Sequence, residues 1–178
     1  MSTDRRLALS PLGKAPVWFA LAIGILIPVG TALALVLPVS RGELSPLVML
    51  MLQALLGLGV LAIVLPLWRR EASFDGKRLQ VKAAYYTRRA PLSEFLLDQA
   101  QVVDLTRDAT LKPMLKTNGY GVPGFWAGHF RLRDRRKAFC LVTDPAKVLA
   151  LPHTDGRVWL LGLTHPQAVL DILRRSRG

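Results

Sequence analysis

Two stretches decide the architecture: Ala15–Ser40, APVWFALAIGILIPVGTALALVLPVS, and Leu44–Trp68, LSPLVMLMLQALLGLGVLAIVLPLW, neither of which contains an ionisable side chain. A bilayer core about 30 Å thick is crossed by roughly 20 residues at about 1.5 Å of rise each, so both are long enough to span it with some tilt. A core helix of a water-soluble domain would be shorter and polar along one side. The first stretch carries Trp18 and Phe19 near its start and Pro28 and Gly30 near its middle. A kink there is tolerated because neighbouring groups satisfy the freed carbonyl. The second has Gln53 as its strongly polar side chain and runs into Trp68-Arg69-Arg70. Trp18, Trp68, Arg69 and Arg70 are therefore candidate anchors at the membrane interface.

Working outward, the 178 residues hold 24 Lys+Arg against 12 Asp+Glu, a net charge of +12, although 51% of the chain is hydrophobic. The charge and the apolar residues occupy separate segments, and residues 69–178 alone carry +10. The basic balance thus follows from position beside a membrane. It does not mark a nucleic-acid platform, because aromatic residues are only 7% of the chain and are not interleaved with the basic turns. Lys and Arg are retained on the cytoplasmic side of membrane segments. Arg5, Arg6 and Lys14 precede the first span and Arg69 and Arg70 follow the second, whereas Arg41-Gly42-Glu43 between them has no net charge. Both termini are expected in the cytoplasm. A cleaved signal, twin-arginine or otherwise, fits poorly, since a secretory apolar region is about 7–15 residues and here a second span follows at once. The single Cys140 allows no intramolecular disulfide.

The division expected is a cytoplasmic tail at 1–14, a helical hairpin at 15–68 and one small domain at 69–178. In that domain the apolar pattern is mostly period two, the mark of half-buried strands. Asp75-Gly76 predicts a hairpin between Ala72–Phe74 and Leu79–Tyr86, with a bent continuation to Phe95, part of which Pro91 confines to an edge or bulge. Gln101–Arg107 reads as a strand, and Lys116–Gly124, with three glycines and a proline, as a shaped loop. Phe125–Arg133, Ala138–Thr143, Lys147–Leu151 and Val158–Leu163 read as further strands. Thr164 with Gln167 predicts a capping box, Pro166 the first turn of a helix, and Arg174, Arg175 and Arg177 its dipole-complementing end. Six or seven strands closed by one helix describe a small barrel or sandwich.

Gly119-Tyr120-Gly121-Val122-Pro123-Gly124-Phe125, Gly128-His129-Phe130, Phe139–Asp144, Thr154-Asp155-Gly156 and His165–Val169 together resemble the bacterial pleckstrin-homology-like domains found beside membrane spans. The resemblance covers roughly residues 70–177. It implies a strongly bent antiparallel barrel of about seven strands with a C-terminal helix, usually without enzymatic activity, and offers no catalytic residues to carry over. With the spans it implies a multi-pass protein of the bacterial inner membrane.

The residues themselves offer little chemistry. His129, His153 and His165 lack metal-ligand spacing. Cys140 and His129, on adjacent strands, are the one pair that could activate a thiol, yet a strand cysteine between Phe139 and Leu141 is more often a small apolar filler. Gly119-x-Gly121-x-x-Gly124 fits a dinucleotide spacing but leads into a strand instead of a helix. No cofactor, metal or catalytic residue is expected. The positive signal is basic charge in turns: Arg131, Arg133, Arg135, Arg136 and Lys137 form a candidate surface for anionic partners, the inner leaflet included. Tyr120 and Trp126 are candidate contacts for a protein partner. The reading is a non-catalytic binding or scaffolding module; the alternative is an accessory subunit whose helices pack on partners through Gly24, Gly30, Gly57 and Gly59. A Gly42→Cys variant should react with a membrane-impermeant thiol reagent added outside intact cells. Reaction only after permeabilisation would reverse the topology.

Overall fold

The computed structural model describes residues 5–42 and 45–177. Asp4, Glu43 and Leu44, on which part of the charge balance and the start of the second span rest, lie outside the described residues. The apolar stretches form helices α1 (Lys14–Ser40) and α2 (Pro46–Val64), both long and apolar enough to cross a membrane. Ser45 opens α2, its hydroxyl accepting the Val48 N–H at 3.3 Å, and Pro46 suits the first turn. Gln53 Nε2 donates to the Thr31 hydroxyl across the helix pair at 3.1 Å, while Thr31 donates back to the Ile27 carbonyl at 2.8 Å. An unpartnered amide in an apolar medium costs several kcal/mol, and its hydrogen bond to another helix is worth about 1 kcal/mol, so the pair both requires and stabilises close approach.

The rest is mostly β. One sheet has the order β1-β2-β3-β4, with β1 at Arg5–Arg6, β2 at Arg70–Phe74, β3 at Arg78–Ala83 and β4 at Tyr86–Pro91. The other has the order β5-β9-β10-β8-β7-β6, from β5 (Gln101–Val103), β6 (Pro113–Val122), β7 (Phe125–Leu132), β8 (Lys137–Val142), β9 (Val148–Pro152) and β10 (Val158–Gly162). Among the described residues the named pairings are antiparallel except β8 with β10, which run parallel because the β9 hairpin brings β10 back alongside β8. Helix α3 (Pro166–Arg177) buries Val169, Leu170 and Leu173.

Period two sends alternate residues of the second sheet to opposite faces. Phe125, Phe139, Leu149, Trp159 and Leu161 meet the first sheet and α3 in one core. Phe130, Cys140, Val142, Ala150 and Leu160 lie in a second, covered by Val103, Leu105 and Leu111. Burial on both faces is why Phe139–Val142 and Val158–Leu161 read as unbroken apolar runs.

Three features depart from the sequence reading. Lys116–Gly124 is not a loop: Pro113–Val122 is one long strand with register shifts between Pro113 and Leu115 and between Lys116 and Asn118. Its glycines serve packing. Gly119 pairs with Gly128, and a Cβ would lie 2.9 Å from the Phe130 ring at Gly119 and 2.7 Å from the Tyr86 ring at Gly128, whose φ is +97°. Only Gly124, φ +75°, makes the turn. Thr164 and Gln167 form no capping box: the Thr164 hydroxyl donates to the Leu9 carbonyl at 3.1 Å and the Gln167 amide donates to Asp171 at 3.1 Å. Arg174 and Arg177 reach across to carbonyls of Leu97, Ala100 and Phe95 as well as ending the helix. Finally, the segment read as a tail carries an arm built into the domain. Arg5 and Arg6 pair with Phe74 and Ser73, the Leu7 N–H donates to the Ala72 carbonyl at 2.8 Å, and the Ser10 N–H donates to Gly162 at 3.1 Å. With β1, with β6 in place of the loop, and with the chain reversing at Ala84 (φ 54°) to separate β3 from β4, the described residues hold more strands than the six or seven counted in the sequence.

Gly128→Ala would combine left-handed strain with a ring clash, each worth about 1–3 kcal/mol. Thermal unfolding of the full chain in detergent should show a loss of about 3 kcal/mol. Gly121→Ala, where the nearest atom is 3.5 Å from the new Cβ, should cost under about 1 kcal/mol.

Candidate functional site

The ends of the helices meet one end of the β domain. The Tyr85 hydroxyl donates to the Ala62 carbonyl, the Tyr120 hydroxyl donates to the Ile63 carbonyl, and Gly124 lies against Pro16 at the start of α1. Burial pushes the Tyr120 phenol above its ordinary pKa, with Tyr85 adding to the shift. Tyr120 is thus engaged within the chain. Trp126, partly buried, packs against the second core. Trp18 and Trp68 are exposed at 69% and 66%, as a lipid-facing ring requires. Arg69 is exposed, but the half-buried Arg70 donates through Nη1 to the Ser10 carbonyl at 3.2 Å, so it holds the arm.

The basic turn predicted from the sequence lies at the other end of β7. Phe125 and Leu132, its first and last residues, are about 23 Å apart at roughly 3.3 Å per residue. Arg136 is spent there, its guanidinium 2.6 Å from Asp134, while Arg135 turns the chain at φ 70°. Arg131, Arg133 and Arg135 border a groove of about 540 Å³ floored by Met114, Leu115 and Leu132, with Met114 75% and Leu115 58% exposed. This is an apolar strip rimmed by cations.

Lys137 faces elsewhere. Together with Arg88, Thr117, Asn118, His129 and Arg157 it lines a cleft of about 330 Å³ whose apolar wall is Phe130 and Ala138 of the second core. The residues come from β4, β6, β7, β8 and the turn before β10. His129 edges onto the Tyr86 ring and tilts against Phe139, and its Nε2 lies 3.5 Å from Arg88 Nη2. Burial first, then the charges of Arg88 and Arg157, push the imidazole below its ordinary pKa. Arg157 Nε is 3.2 Å from Asp155. No ion pair to Arg88 or Lys137 occurs among the described residues. Of this group the sequence reading singled out His129 and Lys137, for other reasons. Convergence from five elements leaves no spacing to detect.

The thiol and imidazole considered as a pair point apart. His129 is registered with Phe139, so Cys140 projects to the opposite face, into the second core. Complete burial pushes its thiol far above the ordinary range. Among the described residues no group of three His, Cys, Asp or Glu side chains converges as a metal site. Cys140 should resist thiol reagents in the folded chain and react once the chain is unfolded in denaturant; rapid reaction under native conditions would contradict this placement.

A family model described as a bacterial PH domain matches residues 70–166. Neither the comparison with curated proteins nor that with solved structures gives a match.

Proposed function

The chain belongs to the bacterial PH domain family, and we propose that it is a non-catalytic recognition module held at the cytoplasmic face of the inner membrane by the α1–α2 hairpin. Family membership supports a binding or scaffolding role. The observation that carries the membrane-held arrangement is the double attachment of the domain to the hairpin. Residues 5–10 are hydrogen-bonded into the domain just before α1, and Tyr85 and Tyr120 bond the last turns of α2. The chain therefore enters and leaves the hairpin on one side. That geometry agrees with the charge asymmetry of the flanks.

The recognition surface we assign is the groove of Met114, Leu115 and Leu132 with Arg131, Arg133 and Arg135. It lies a strand's length from the helix attachment, which favours an acidic protein partner carrying an apolar side chain over the bilayer from which the domain hangs. The accessory-subunit reading has its own support: a Cβ at Gly24, Gly30, Gly57 or Gly59 would meet nothing within 4 Å, so these positions leave room for a neighbouring helix.

Extracted from its host in mild detergent, the full chain should carry a partner that high salt releases. Replacing Arg131, Arg133 and Arg135 by Gln should weaken that partner at least roughly tenfold. A partner retained by this variant but lost on Gly57→Leu would favour the subunit reading. A spin label at Lys112→Cys, beside the turn, should be equally mobile in zwitterionic and anionic nanodiscs. Immobilisation by anionic lipid alone, abolished by the triple variant, would make the bilayer the partner.

A further inference from the structure

We infer that the cleft between Arg88, His129, Lys137 and Arg157 is a binding site for a phosphate oxyanion, either free phosphate or a phosphate monoester. The site is separate from the turn groove and stands whether or not that groove takes a partner.

The charge of the cleft is unbalanced. Arg88, Lys137 and Arg157 converge on a concavity, and the carboxylate that pairs with one of them, Asp155, is engaged with Arg157 Nε and with the Arg157 and His153 groups of its own turn. Crowded like charges raise the energy of the free site, and a bound anion removes that cost. Desolvating walls raise the local potential further. Here Phe130 and Ala138 are buried and supply them.

The donor set suits a phosphoryl group. Two guanidinium groups offer forked N–H donors, Lys137 a point charge, and Asn118 and Thr117 a neutral amide and hydroxyl at the rim. Asn118 Oδ1 accepts from the Tyr86 hydroxyl at 2.7 Å, which leaves its NH₂ as the donor facing outward from that bond. The Thr117 hydroxyl is anchored on the His129 carbonyl at 3.1 Å and retains its acceptor pairs, fitting it for a protonated phosphate oxygen. The volume, about 330 Å³, holds a phosphate or a pyrophosphate.

His129 makes the site pH-sensitive. The charged groups facing it are Arg88 from β4, Lys137 from β8 and Arg157 with Asp155 from the turn before β10; Tyr86 and Phe139 present uncharged rings. Burial, then the charges of Arg88 and Arg157, push the imidazole below its ordinary pKa in the empty cleft. An anion offsets the positive local field, so binding raises the His129 pKa, and by linkage protonation of His129 tightens anion binding as pH falls.

Position leaves two sources for the anion. Asn118 is two residues from Tyr120 along β6, roughly 7 Å, and Tyr120 bonds the end of α2. A phosphate from the cytoplasm and a headgroup phosphate of the adjoining leaflet both reach that depth.

The test follows the His129 imidazole resonances of the full chain by NMR. In maltoside micelles, inorganic phosphate or pyrophosphate should shift them saturably and raise their titration midpoint, whereas chloride at matched ionic strength should not. In phosphatidylcholine nanodiscs, phosphatidic acid should do the same if the source is lipid. A response to free phosphate, or to phosphatidic acid alone, supports the site and identifies the source. Arg88→Gln and Lys137→Gln should each weaken the response roughly fivefold or more, and the paired Arg133→Gln/Arg135→Gln variant should leave it within about twofold. No response to any of the three probes overturns the inference. So does an equal response to chloride, an undiminished response in both cleft variants, or a loss as large in the turn variant.

Discussion

The interaction on which the rest depends is the hydrogen bonding of the arm at residues 5–10 between the two sheets. On one side Leu7 bonds Ala72 of β2. On the other Ser10 bonds Gly162 at the end of β10, and the Thr164 N–H donates to the Ala8 carbonyl at 3.0 Å. The carbonyl of Ser10 is enclosed by donors, Thr143 Oγ1 at 2.9 Å and Arg70 Nη1 at 3.2 Å. Those groups are buried or half-buried, and each would be left unsatisfied if the arm departed, at a cost of about 1–3 kcal/mol apiece. The arm is thus the seam that closes one sheet on the other.

The seam also fixes what the helices can do. Because α1 begins four residues after Ser10 and α2 leads through Pro66 and Leu67, both buried, into β2, the ends of the hairpin are held by the same part of the domain. Tyr85 and Tyr120 then bond carbonyls of α2, and the Gly124 turn meets Pro16. One end of the barrel is consumed by attachment. The far turn with its groove and the cleft of Arg88, His129 and Lys137 stay clear of that attachment, and among the described residues Arg131, Arg133, Arg135, Arg88 and Lys137 have no carboxylate partner there.

Much of this was legible. The uncharged stretches gave α1 and α2, Asp75-Gly76 gave the β2–β3 turn, the polar run Asp134-Arg135-Arg136 gave the β7–β8 turn, and Pro166 marked α3. The failures have a common cause, in that they depend on contacts distant in sequence. Gly119 and Gly121 look like loop residues until Tyr86 and Phe130 are known to lie over that strand pair. Thr164 and Gln167 have the spacing of a capping box, but the first donates to an arm more than 150 positions away and the second to Asp171. That arm did leave a signal, the alternation of Leu7 and Leu9 with Ala8 and Ser10, which a reading focused on the charges of Arg5, Arg6 and Lys14 passes over. The basic turn was visible because its residues are contiguous. The cleft was not, because it assembles only when five elements pair in register.

The central claim is that the arm before α1 is a structural strand of the domain after α2. Amide hydrogen exchange on the full chain in nanodiscs tests it most directly. The amides of Leu7, Ser10 and Thr164 should be protected to the same degree as those of Trp159 and Leu161 in β10. Free-peptide exchange at Leu7 and Ser10, with β10 still protected, would contradict it.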